Sequence, residues 1–105
     1  MIEIKNENEL KDEISSFSEG IVLVDFWAPW CGPCRMLSSV LSGIDGTIDN
    51  LKIIKINVDE AQDLASKYDI QSVPTIFLMK NNEIVDRQSG FMSKSALSDW
   101  ISRNI

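Results

Sequence analysis

Trp27-Ala28-Pro29-Trp30-Cys31-Gly32-Pro33-Cys34-Arg35 holds both cysteines of the chain, separated by two residues. Immediately upstream, Ile21-Val22-Leu23-Val24-Asp25-Phe26-Trp27 is an apolar run of strand length that reads as a strand buried on both faces. Downstream, Leu37, Val40, Leu41, Ile44 and Ile48 recur at helical spacing, which predicts a helix running to about Ile48. The cysteines therefore lie at a strand-to-helix junction, Cys31 before the helix and Cys34 in its first turn. Pro33 is tolerated there, because the N–H it lacks would have had no partner inside the helix.

The same alternation continues outward. Ile2 to Lys5 reads as a short strand, and Asn6 followed by Glu9 as a capping box. Leu10, Ile14 and Phe17 then give a helix one apolar face, and Gly20 ends that unit. On the C-terminal side, Lys52 to Val58 is a β-branched strand, and Ala61, Leu64, Ala65 and Tyr68 mark a short helix. Thr75 to Met79 and Glu83 to Gln88 flank Asn81-Asn82, a two-residue hairpin turn. Ser93 caps a last helix whose apolar face is Leu97, Trp100 and Ile101. Phe17, Trp27 and Trp100 read as core. The order of elements implies an α/β fold, a mixed sheet with helices on both faces. No repeat, low-complexity tract or linker interrupts it, so residues 1–105 read as a single domain.

A cysteine at the N-cap of a helix places its sulfur where a capping oxygen accepts an amide N–H. Those amides and the positive end of the helix dipole favour thiolate over thiol. Thiolate is the form that attacks disulfides. Cys34, one turn in, is less exposed yet close enough to bond to Cys31. Two other readings stay open on the residues alone. One is a structural staple, although so short a loop constrains the unfolded chain by only about 2 kcal/mol. The other is half of a zinc site, which would need carboxylates or a second subunit, since the chain has no histidine and no third cysteine.

With 105 residues, 44% hydrophobic and 25% charged, the chain can bury one core without staples. The net charge of −6 argues against nucleic acid or an anionic membrane as a partner. No run approaches the roughly 20 apolar residues of a membrane span. Met1-Ile2-Glu3-Ile4-Lys5 carries no apolar leader, so a cytoplasmic location is expected, where thiols stay reduced.

The stretch from Trp27 to Arg35 resembles the active-site signature of the thioredoxin family, and the similarity extends along the whole chain. The resemblance implies the thioredoxin fold, a central mixed β-sheet flanked by four helices. It also implies a catalytic set of Cys31, Cys34, Asp25 and Lys55, with Gly32 and Pro33 tuning the redox pair. On its residues alone, Asp25 is a carboxylate interrupting an apolar strand, so desolvation should raise its pKa. The alternative is a structural aspartate bonded to backbone. The resemblance makes it the group that exchanges protons with the buried cysteine. Lys55 interrupts the next strand in the same way; it either snorkels to the surface or, as the resemblance implies, sits near the aspartate. An X–Pro bond is trans on base rates, yet the resemblance implies that Pro74 is cis and packs beside the cysteines. Val73 would then offer strand-like hydrogen bonds to a bound peptide. Trp30, Val73, Pro74 and Gly90 are the substrate-binding positions implied; Gly90 also reads as a turn before the last helix.

Three positions depart from the commoner family pattern. Ser39 stands where many members have a helix-kinking proline, Asn82 replaces a turn glycine, and Phe91 replaces a smaller residue. The expected function is a protein-disulfide reductase and electron carrier that maintains cell redox homeostasis. It would act as a monomer on disulfide-containing client proteins, be recharged by a thioredoxin reductase, and need no bound cofactor and no metal. A disulfide oxidase or isomerase fits less well, because Gly32-Pro33 carries no cation to stabilise a thiolate. A binding module using the same surface without redox turnover is the second alternative.

Overall fold

The structure, a computed structural model, describes residues 1–17 and 20–105. Its elements run β1 (Ile2–Ile4), α1 (Glu7–Ser15), β2 (Ile21–Trp27), α2 (Gly32–Ile44), β3 (Leu51–Asn57), α3 (Gln62–Lys67), β4 (Thr75–Lys80), β5 (Glu83–Ser89) and α4 (Lys94–Arg103). The sheet order is β1-β3-β2-β4-β5, which puts the strand leading into the cysteines at its centre. β3 lies parallel to both β1 and β2, while β4 is antiparallel to β2 and to β5. The order of elements implied an α/β mixed sheet, and the resemblance implied the four helices flanking it; both are present.

Because side chains alternate along a strand, β2 feeds two cores. Val22, Val24 and Phe26 pack with Leu10 of α1, Leu64 of α3 and Phe77 of β4. Leu23 points the other way, onto Leu37 and Leu41 of α2 and Leu97 and Trp100 of α4. Asp25 shares the parity of Leu23, so it faces the layer that contains α2. The buried Trp100 donates its indole N–H to Asp86 Oδ2 at 2.7 Å.

The turn chemistry follows the residues. Asn81 and Asn82 both hold positive φ, 54° and 65°, which is the conformation a tight two-residue hairpin demands. Asparagine therefore serves where glycine is commoner. Arg87, late in the edge strand β5, ties that edge to the segment just after α3, donating to the carbonyls of Tyr68 and Asp69 at 2.8 and 2.7 Å.

Two expectations shift. α2 ends at Ile44, since Asp45 leaves helical dihedrals (φ −60°, ψ 125°), and Ile48 packs on the core from the following loop. Apolar spacing alone cannot see that stop. Ser39 lies inside this helical run. Phe17 lies beyond the end of α1 and is half-buried against the core rather than within it.

The predicted capping box is present in altered form. The Asn6 side chain accepts the N–H of Glu9 at 2.9 Å, while Glu9 reaches back to the N–H of Lys5 rather than that of Asn6. Asn6→Ala should lower stability by about 1 kcal/mol, read as a lower urea midpoint at unchanged slope.

Candidate active site

β2 delivers the chain at Trp27 to a buried Ala28, and the turn through Pro29 and Trp30 ends at Cys31, the N-cap of α2. The Cys31 backbone is extended there (φ −95°, ψ 111°), and its Sγ accepts the N–H of Cys34 at 3.2 Å. One of the amides left without a partner by the helix start is thus bonded to sulfur. Cys31 and Cys34 form a disulfide with Cα atoms 5.2 Å apart. Both are buried residues, 5% and 1% exposed, Cys31 the less so.

Asp25 is wholly buried, and neither of its carboxylate oxygens has a hydrogen-bond partner in the protein. That removes the alternative of a structural aspartate tied to backbone. Burial pushes its pKa up to about 7; Lys55 pulls it down and Glu3 adds a small upward push. The register explains these two neighbours: Asp25 pairs with Lys55 across β2 and β3, and Lys55 pairs with Glu3 across β3 and β1. The three charged residues form one row on the α2 side of the sheet.

Lys55 does not snorkel freely. Its Nζ donates to Ser38 Oγ on α2 at 2.7 Å and sits 4.8 Å from the centre of the Trp27 ring. Trp27, read from sequence as core, is half-buried and packs on the cluster of Ala28, Cys31 and Cys34, which makes it part of the site's wall.

The Val73–Pro74 peptide is cis, as the resemblance implied and the base rate did not. It brings the Val73 carbonyl oxygen to 3.6 Å from Cys31 Sγ. Gly90 holds φ +91° and donates its N–H to the Pro74 carbonyl at 2.9 Å. The positive φ fits the turn reading, and the hydrogen bond ties that turn to the cis-proline. Trp30 stands 69% exposed, its indole N–H on Asp59 at 3.2 Å. A depression of about 230 Å³ opens between Trp30, Val58, Ile70 and Val73. A Cβ on Gly32 would meet only the Arg35 guanidinium at 3.9 Å, an ordinary contact, so no close approach demands glycine there.

The thioredoxin family profile matches residues 1–103. The chain belongs to the thioredoxin family. It is 48% identical over 89 residues to thioredoxin of Bacillus subtilis, covering 84% of this chain and 86% of that one. Over the full length of both proteins it is 41% identical to thioredoxin of Rickettsia prowazekii. Among solved structures, Fasciola hepatica thioredoxin superposes with a TM-score of 0.93 at 30% identity, covering both chains completely. Thioredoxins are disulfide oxidoreductases, and this chain carries out dithiol–disulfide exchange through Cys31 and Cys34.

Ser38 and Asp59 were not legible as parts of this thioredoxin site. Each acts on a residue distant in sequence, and the only hint was a polar side chain early in α2 or just after β3. Met36 and Phe91, 57% and 44% exposed, are large apolar side chains left uncovered on α2 and after Gly90. Among the described residues, no helix is long and apolar enough to cross a membrane.

Proposed function

We propose that this thioredoxin reduces disulfides of client proteins in the cytoplasm as a monomeric single domain spanning residues 1–105, and is recharged by a thioredoxin reductase. The observation that carries this reading is the Cys31 sulfur at the helix N-cap, bonded by the Cys34 N–H and beside the Val73 carbonyl. In the reduced protein that N–H and the helix dipole stabilise negative charge on Cys31. The Cys31 thiolate attacks one sulfur of the client disulfide, forming a mixed disulfide and releasing the other client sulfur as a thiolate. Asp25 takes the proton of Cys34 as that thiol attacks Cys31. The second client sulfur then leaves, and the two electrons of the dithiol have passed to the client. Before that transfer they reside in the reduced cysteine pair itself, so the step draws on no bound cofactor.

Trp30, Val73, Pro74 and Gly90 form the surface on which an extended client segment lies, with the Val73 backbone as its hydrogen-bonding edge. Gly32 and Pro33 place no cation between the two cysteines, which leaves the thiolate modestly stabilised and the poise reducing. Lys55 acts through Asp25, whose carboxyl it faces in the sheet.

Reduction of insulin disulfides with dithiothreitol as electron source tests the activity. The protein should accelerate precipitation of the insulin B chain, and a rate equal to dithiothreitol alone would defeat the proposal. Brief iodoacetamide treatment of the reduced protein, followed by peptide mass mapping, tests the roles. Cys31 should be alkylated first by a wide margin; preferential labelling of Cys34 would reverse the assignment.

A further inference from the structure

Lys55 is half-buried, and its ammonium is held in one place. Its Nζ donates to Ser38 Oγ at 2.7 Å while resting over the Trp27 ring. It makes no ion pair with Asp25 or Glu3, the two carboxylates on either side of it in the sheet register. Ser38 lies on α2 one turn beyond Cys34, on a helix whose start is the redox pair. We propose that Ser38 is a positioning residue for disulfide exchange: its hydroxyl fixes the Lys55 ammonium opposite Asp25 and thereby sets the pH at which Asp25 takes up a proton. The proposal rests on the reading of Asp25 as the proton acceptor for Cys34.

The groups that face Asp25 are few. β3 presents Lys55, β1 presents Glu3 beyond it, β4 presents the apolar Ile76, and α2 begins with Cys31 and Cys34. In the oxidised protein the disulfide does not titrate, which leaves Lys55 and Glu3 as the charges acting on Asp25. Glu3 is exposed and keeps its hydration, whereas Asp25 is wholly buried. An ammonium released from Ser38 moves toward water and Glu3, because following Asp25 inward would strip its own solvent. The positive charge then retreats from Asp25, and its carboxyl holds its proton to higher pH.

Ser38→Ala removes the acceptor and leaves a strong helix former in its place. Carboxyl-carbon NMR of oxidised protein reads the Asp25 titration without using activity. A neighbouring opposite charge moves a carboxyl by roughly 1–3 pH units, so partial retreat should raise the Asp25 midpoint by roughly half a unit or more. The pH profile of mixed-disulfide resolution should move the same way. Ser38→Thr, which keeps the hydroxyl, should restore both, and in a Lys55→Met background Ser38→Ala should change neither. An Asp25 midpoint that is unchanged or lower in Ser38→Ala, or a shift that persists without Lys55, would overturn the proposal. Failure of the underlying reading looks different: Asp25→Asn would then leave the pH profile of resolution intact, while the NMR titration of Asp25 still reports on Ser38.

Discussion

Cys31→Ser should bring disulfide reduction down to the uncatalysed background, whereas Cys34→Ser should stop the reaction half-way with the client covalently held. The distinction follows from where the two sulfurs sit. A serine hydroxyl is not ionised at neutral pH and does not attack a disulfide, so losing Cys31 removes the first step. Losing Cys34 leaves that step and removes only the release. Mixed disulfides that survive non-reducing electrophoresis and disappear with dithiothreitol should therefore accumulate in Cys34→Ser and be absent in Cys31→Ser. Adducts on the Cys31→Ser protein instead would exchange the two roles.

Folding should not confuse this result. Serine is itself a strong N-cap, so α2 keeps its start when Cys31 is replaced. The closed loop is short, and its loss costs the oxidised protein about 2 kcal/mol. Both variants should thus remain folded at room temperature, as near-ultraviolet circular dichroism can verify. Activity and stability part company because the disulfide is placed for exchange rather than for holding the chain together.

Asp25→Asn should make the protein more stable and its second step slower. A carboxyl whose pKa is about 7 in the folded state, against 3.8 ordinarily, binds its proton more tightly when folded. Its stabilising contribution is complete below pH 3.8 and is lost as the pH rises toward 7, so above that range the native state bears the cost of a buried charge. The gap between the two values corresponds to about 4 kcal/mol. Asn carries no charge, so the variant should gain up to about that much at pH 8 to 9, and little near pH 4. Urea unfolding of oxidised protein across this range measures the gap; a variant that is less stable at pH 8 would make Asp25 structural. Stopped-flow mixing with a model disulfide should show the attack by Cys31 little changed and the resolution by Cys34 slowed near neutral pH. Resolution at the normal rate would remove Asp25 from the proton path.

How far each of these residues was legible depends on the range of the forces that define it. Cys31 and Cys34 were legible because their chemistry is set within one helical turn, by the amides that any helix start leaves unpaired. Asp25 was half legible: an acidic residue inside an apolar strand signals burial, but whether backbone groups would bond it was settled by packing, which left both oxygens without a partner. The Asn81-Asn82 turn was legible because two-residue hairpin loops call for positive φ, which asparagine tolerates.

The end of α2 was not legible, since apolar spacing continued past Ile44 to Ile48 while the backbone turned at Asp45. Trp27 was misplaced for a related reason: a tryptophan at the end of a buried strand looks like core until the neighbouring cysteines and Lys55 are seen against it. The cis bond before Pro74 came from family resemblance and not from local physics, which favours trans.

Local sequence alone determined the order of elements, the burial of β2 on both faces, and the capping of a helix by a reactive sulfur. These depend on side-chain periodicity and on contacts three or four residues apart. Only the tertiary structure decided what surrounds that sulfur and its proton acceptor. The Lys55–Ser38 bond spans 17 residues, the Trp30–Asp59 bond 29, and the contact of Cys31 with Val73 42. Pairings at such separations are fixed by strand register and by how a helix lies across a sheet. No pattern within a window of the chain encodes either one, because both are settled by the burial of apolar surface over the whole fold.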